Sequence, residues 1–126
     1  MTNYKVTNPA TGQVEKEFPE HTDQQLTQSI DQAAETFATW SKTEPHERAT
    51  LLNTVADIYE RRTDELAEII GREMGKPVKQ ARGELGIVVD IYRYYAQNGP
   101  TYLADEPVED AKSGSAYVQN EPYGVL

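Results

Sequence analysis

Between Thr43 and Glu84 the chain carries its heaviest punctuation, and no other stretch limits the fold as much. It reads Thr43-Glu44-Pro45, a long amphipathic run to Glu73-Met74-Gly75-Lys76-Pro77, and then Ala81-Arg82-Gly83-Glu84. Pro45 is tolerated in a first helical turn because the N–H it lacks would have no acceptor there. Thr43 is therefore expected to cap a helix whose Ala49, Leu52, Val55, Ala56 and Tyr59 share one face. Thr63 is predicted to cap a second helix, with Leu66, Ile69, Ile70 and Met74 inside. Gly75, free to take a positive φ, is predicted to stop it, and Pro77 opens the next. There the run Ile87-Val88-Val89 would suit a buried strand, but Val78, Ala81, Leu85, Val88, Tyr92 and Tyr95 recur at helical spacing and favour a helix. Asn98-Gly99-Pro100 is predicted to break it. The cluster Tyr92, Tyr94, Tyr95 and Tyr102 predicts that this helix is wedged between two packed surfaces.

Upstream, Tyr4–Thr7 and Gln13–Phe18 flank Asn8-Pro9-Ala10-Thr11-Gly12. Alternating apolar and polar residues on either side of turn formers predict a β-hairpin. Such a hairpin is marginal alone and must pack on something larger. Thr22 with Gln25 forms a capping-box pattern. Leu26, Ile30, Ala33, Ala34, Phe37 and Trp40 then make one apolar stripe, with Trp40 expected as a core anchor. Downstream, Asp105 to Gly114 is predicted to be loop, and Ser115 to Glu121 alternates like a strand ended by Pro122-Tyr123. Gly124-Val125-Leu126 opens a new apolar run at the last residue, which predicts a chain cut short, because termini are more often polar and frayed.

The totals narrow the function classes. A net charge of -9 argues against a nucleic-acid partner, which needs a basic face. Arg61, Arg62 and Arg82 are interleaved with Glu60, Asp64, Glu65 and Glu84 and belong to a solvated face. Asp57 with Arg61, and Glu68 with Arg72, are spaced to pair along one helix. The chain has neither an apolar run near the ~20 residues that span a bilayer nor an apolar signal core behind Met1-Thr2-Asn3-Tyr4-Lys5, so no membrane partner and a cytoplasmic location are expected. Zero cysteines exclude a disulfide framework, a thiolate metal site and thiol catalysis within these residues. His21 and His46 have no second histidine or triad serine near them and are expected to be ordinary surface residues. Gly83-Glu84-Leu85-Gly86 lacks the spacing of a dinucleotide fingerprint, and no phosphate loop, zinc-binding or nucleophile-elbow motif occurs.

What the chemistry leaves open, a set of ordered motifs narrows. Asn8-Pro9-Ala10-Thr11-Gly12 with Val14 resembles the N-terminal hairpin of the aldehyde dehydrogenase superfamily. The order that follows is similar too: Ala34, Phe37 and Trp40 on a helix; Arg48 with Leu51-Leu52; Glu73-x-Gly75-Lys76-Pro77; Ala81 with Gly83-Glu84; Tyr94-Tyr95-Ala96; and Glu121-Pro122-Tyr123-Gly124-Val125. Each motif is weak alone; their order over nearly the whole chain is specific, and the wording is similar to that of succinate-semialdehyde dehydrogenases.

The resemblance implies the mainly helical N-terminal part of an α/β aldehyde dehydrogenase fold: a β-hairpin, about four helices, and the C-terminal strand or strands of an oligomerisation extension. Residues 1–114 would supply the hairpin and the outer helices of the nucleotide-binding domain, and residues 115–126 would begin the extension. In the family reaction a cysteine thiolate attacks the aldehyde, hydride passes to NAD or NADP, and a glutamate-activated water releases the acid. This implies that the segment carries no catalytic and no cofactor-binding residue, binds no NAD or NADP alone, and is inactive without the remainder of its own catalytic and nucleotide-binding domains. The full-length enzyme would be a homo-oligomer. Glu73 is the single site residue implied, as a candidate ligand of a structural monovalent cation, against a plain role in the last turn before a helix stop. The competing expectation is a stand-alone, non-catalytic helical interaction module, which would have to leave an unpaired apolar strand exposed at its end.

Overall fold

A computed structural model describes residues 4–109 and 114–126. The polar start at Met1–Asn3 and the middle of the expected loop, residues 110–113, lie outside the described residues.

The turn chemistry around Asn8 decides the first element. Strands β1 (Tyr4–Thr7) and β2 (Val14–Phe18) pair antiparallel, with Tyr4 opposite Phe18, Lys5 opposite Glu17 and Val6 opposite Lys16. The register then shifts by a bulge, so that Thr7 faces Val14. Asn8 holds the connection: its side-chain oxygen accepts from the Ala10 N–H at 2.9 Å and its carbonyl accepts from the Gly12 N–H at 2.8 Å. That is the local bonding which makes asparagine a turn former.

Helix α1 (Asp23–Trp40) starts as its capping box demands. The Gln25 N–H donates to the Thr22 hydroxyl at 3.2 Å, and the Thr22 N–H donates to the Gln25 side-chain oxygen at 2.9 Å. Its apolar stripe, however, has little to pack on. No residue of α1 is buried, and Trp40, expected as a core anchor, is 45% exposed. A helix stripe is buried only where another element covers it, and α1 makes little contact with the other helices described.

The core is a three-helix packing of α2 (Pro45–Arg61), α3 (Thr63–Met74) and α4 (Val78–Tyr102), in which α4 lies against both α2 and α3. Its buried residues are Ala49, Ala56, Ala67, Ala81, Leu85, Val89 and Ala96. Small methyl side chains let helix axes approach closely, but each removes little apolar area from water, so this core is thin. Tyr59, Leu66 and Ile70 pack around Ala67, Ala81 and Leu85, and the Tyr59 and Tyr92 rings meet at 5.6 Å between centroids. Most of the expected inner faces are found; Met74, 70% exposed, and Val78 and Tyr95 are the exceptions. The tyrosine-rich end of α4 is packed on one side only. Tyr94, Tyr95 and Tyr102 are about half exposed, because α2 and α3 cover just the opposite face of the helix.

Helix boundaries show where side chains found better partners than those the sequence pattern suggests. The Thr43 hydroxyl donates back to the Trp40 carbonyl at 2.6 Å, so Glu44 occupies the N-cap of α2 and makes no side-chain cap bond. The Thr63 hydroxyl donates to the carbonyls of Tyr59 and Glu60 and so serves the end of α2, leaving Arg62 as the joint between the helices. Asn98-Gly99-Pro100 does not break α4, which runs on to Tyr102. The clash that bars a helical residue before proline involves that residue's Cβ, which Gly99 lacks. The Leu103 N–H then closes the last turn on the Gly99 carbonyl at 3.1 Å.

Gly75 stops α3 in the left-handed region, at φ 71° and ψ 15°. This is a conformation that costs a residue with a Cβ. The hairpin packs on the corner so formed: a Cβ on Gly75 would stand 3.0 Å from Pro9 Cγ, and Arg72 Nε lies 2.9 Å from Glu15 Oε2. Arg72 thus pairs across elements rather than with Glu68 along its own helix. Asp57 likewise meets Arg93 of α4, which also reaches Glu60 at 2.7 Å, rather than Arg61. These pairs are exposed and each adds little, since water screens them. Beyond α4, the expected strand over 115–121 shortens to β4 (Tyr117–Val118), antiparallel to β3 (Glu106–Pro107), which falls within the stretch expected as loop. A proline with no N–H to donate and a single flanking pair leave that ladder short.

Candidate functional site

The ordered motifs gather in space at two junctions. At the first, Asn8 and Pro9 meet Gly75. The Asn8 side-chain amide donates to Glu15 Oε1 at 2.8 Å, and the other oxygen of Glu15 accepts from Arg72, so hairpin, turn and the end of α3 form one bonded chain. Lys76 and Glu84 then form an ion pair that spans the start of α4.

At the second junction a cleft of about 460 Å³ opens where α1 ends, α2 begins and the segment Asn120–Pro122 passes. Phe37, Trp40, Thr43, Arg48, Leu103 and Pro122 line it. Arg48, half buried, donates from Nη1 to the Thr43 carbonyl and, at 3.2 Å, to the Thr43 hydroxyl, which fixes the loop between the helices. Gly124, at φ 123°, turns the tail toward α1, where a Cβ would lie 3.9 Å from Phe37 Cε1. Sequence order named Arg48, Phe37, Trp40 and Gly124 as motif residues but gave no hint that they meet, because the contact joins residues more than 80 positions apart.

The polar side chains of Ser41, Lys42, Thr43, Glu44, Arg48 and Glu121 also face the cleft. The Thr43 hydroxyl spends its proton on Trp40, and no histidine stands by it; His21 and His46 are both exposed, as expected. The displaced titrations lie elsewhere. The Arg62 guanidinium, hydrogen-bonded to Glu65 at 2.8 Å, holds that carboxyl below its ordinary range, and Glu65 raises Arg62 in turn. Glu60, then Asp57, raise Arg93. The Tyr102 hydroxyl, 2.6 Å from that of Tyr94, is raised by this hydrogen bond. All three are surface ion-pair or hydrogen-bond effects, which perturb titration without implying catalysis.

Glu73 is the second-to-last residue of α3 and is exposed. Among the described residues no group of three or more His, Asp or Glu side chains gathers as a metal site would need. No described helix is long and apolar enough to cross a membrane.

A hairpin seated on a Gly75 corner, a three-helix core and a tail returning to the first helix define one class. The chain belongs to the aldehyde dehydrogenase family, whose family model matches residues 1–126. Among individual proteins it is similar to the NADP(+) succinate-semialdehyde dehydrogenase of Deinococcus radiodurans, 33% identical over 123 residues, which are 98% of this chain and 26% of that protein. It is 38% identical over 121 residues to NADP(+) succinate-semialdehyde dehydrogenase 1 of Mycobacterium tuberculosis, covering 94% of this chain and 26% of that one. A solved succinic semialdehyde dehydrogenase from Streptococcus pyogenes, in complex with NADP+, superposes with a TM-score of 0.83 at 36% identity, covering 90% of this chain and 25% of that one. The chain thus spans about a quarter of the length of the relatives it matches.

Proposed function

We propose that the chain is the N-terminal segment of an NAD(P)-dependent aldehyde dehydrogenase that oxidises an aldehyde, succinate semialdehyde first among candidates, to its carboxylic acid. The observation that carries this reading is the likeness, end to end, to the first quarter of proteins named for that reaction. Exposed apolar side chains on two helices agree with it: Leu26 and Ile30 on α1, and Ile87, Ile91, Tyr94 and Tyr95 on α4, are each at least half in water. A free-standing interaction module would keep those faces wet, at a cost that a larger protein avoids by covering them.

NAD or NADP, when bound, supplies the hydride acceptor. The residues described here do not fit that group. None of their helices follows a parallel strand, so no glycine-rich turn presents backbone N–H groups to a pyrophosphate. No step of the reaction is therefore assigned to them, and the sequence holds no cysteine to act as the nucleophile. Their role in this reading is to brace: the Pro9–Gly75 and Arg48–Thr43 contacts fix the angles between helices that cover a nucleotide-binding domain. Residues 1–114 form those outer elements, and residues 115–126, with β4, begin an extension through which a cytoplasmic homo-oligomer assembles. Glu73 stays a candidate ligand for a structural monovalent cation, tested by whether Glu73→Gln abolishes stabilisation of the full-length enzyme by K⁺ or Na⁺.

The test of function is direct. The purified chain, mixed with succinate semialdehyde and NAD or NADP, is expected to give no absorbance change at the reduced-nicotinamide band and no heat of cofactor binding. A full-length enzyme that contains this segment is expected to turn over. Turnover by the chain alone, or a full-length enzyme inert toward every aldehyde offered, refutes the proposal.

A further inference from the structure

Two observations single out α1. It has 18 residues, none buried, and little contact with α2, α3 or α4, so the three-helix core does not hold it. An isolated helix of this length is marginal in water even with a good cap. Its partly covered side chains, Ala33 and Phe37, lie on one face one turn apart and follow through to Trp40. That face borders a second cleft whose other wall is Gly124 and Val125 of the tail, while Asn120–Pro122 close the end of α1 beyond Trp40.

We propose that residues 120–125 act as a strap that fastens α1, so that α1 and the strap order and release together while α2, α3 and α4 stay folded. The hinge is the loop Ser41–Glu44. It is pinned on the core side by Arg48, which donates to the Thr43 carbonyl and hydroxyl. Past the hinge, the end of α1 at Trp40 still borders Pro45 and Leu103, but along residues 29–37 the apolar neighbour across the cleft is the strap at Gly124 and Val125. Seating it requires the left-handed turn at Gly124, φ 123°, a region in which a Cβ is strained whatever the space around it. The order of α1 is thereby coupled to a turn more than 80 residues away in sequence, through a contact that can be lost without opening the core. Such sub-global units exchange their amide hydrogens independently of the core. This holds whether or not the enzymatic reading above is right.

Hydrogen exchange read by mass spectrometry on the intact chain tests it with three variants. Gly124→Ala leaves the sequence and helix propensity of α1 untouched and strains only the strap; exchange over residues 23–40 is expected to quicken by about five- to tenfold, the rate equivalent of a residue forced into a disfavoured backbone region. Phe37→Ala removes the seat and is expected to quicken the same amides by at least about tenfold, since truncating even a half-buried phenylalanine forfeits much of its packing. Gly12→Ala, a strained substitution of the same kind in the hairpin turn, is expected to leave α1 unchanged. In all three, amides of α2, α3 and α4 should keep their wild-type rates. Unchanged exchange in α1 for Gly124→Ala, or core helices that quicken in step with α1, overturns the strap.

Discussion

Replacing Gly75 by alanine probes the corner on which the whole arrangement turns. Two costs are separable. The first is backbone: at φ 71° and ψ 15° a Cβ crowds its own carbonyl, about 1–2 kcal/mol for a residue held in the left-handed region. The second is contact: the new methyl would stand 3.0 Å from Pro9 Cγ and 3.6 Å from Pro9 Cβ, closer than carbon atoms pack, and the hairpin must shift by a few tenths of an ångström to admit it. Crowding of that kind in a tight place adds about 1 kcal/mol, for an expected total of roughly 2–3 kcal/mol. Gly12 supplies the control, because it has the same φ of 71° with nothing within 4 Å of its would-be Cβ. Gly12→Ala should therefore show the backbone cost alone, about 1–2 kcal/mol. The assay is urea unfolding followed by helical circular dichroism, with midpoint and slope fitted for each variant. A double variant, Gly75→Ala with Pro9→Ala, should recover the contact part and leave the backbone part. Equal losses for Gly75→Ala and Gly12→Ala would refute the seating of the hairpin on the corner, and a loss below about 0.5 kcal/mol at Gly75, the usual bound for a featureless surface site, would refute the left-handed stop itself.

Two further predictions concern charge and association. Glu65 is depressed by Arg62, so the stability it lends is present above the ordinary carboxylate pKa and is lost as pH falls through the depressed value; Glu65→Gln should flatten the acid limb of a stability–pH profile. Tyr102 is raised by Tyr94, so its share is present below the ordinary tyrosine pKa and is lost as pH rises through the raised value; Tyr102→Phe should flatten the alkaline limb, and a limb unmoved by either variant counts against that pair. The chain alone should self-associate, since α1 and α4 leave apolar faces in water. Sedimentation should show concentration-dependent species, and the emission of Trp40, the single tryptophan, should shift to the blue as they form. A monodisperse monomer with a sharp unfolding transition would contradict this.

What could be read from the residues was what short-range physics controls. The hairpin around Asn8, the Thr22–Gln25 box, the stop at Gly75 and the helical spacing from Val78 to Tyr92 depend on backbone bonding and periodicity within a few residues, and all were found in place. The order of motifs also carried the family. Where a residue had two partners to choose from, the sequence could not choose. Thr43 and Thr63 carry hydroxyls able to cap the helix that follows, yet both turned back to carbonyls of the helix before. Asp57 and Arg72 had neighbours on their own helices and paired across the fold instead.

Burial was the other quantity that only tertiary structure decided. An apolar stripe states which face of a helix will be covered if something covers it, but says nothing of whether the covering element is at hand. Trp40 and Tyr95 sit on such stripes and remain about half in water, while Ala49, Ala56 and Ala81, on stripes of the same kind, are buried with Ala67 because helix α4 runs close across its two neighbours. The cleft at Arg48 and the seat of Gly124 on Phe37 belong to the same class: they join residues far apart in the chain, and distance along a chain is what a local pattern cannot encode.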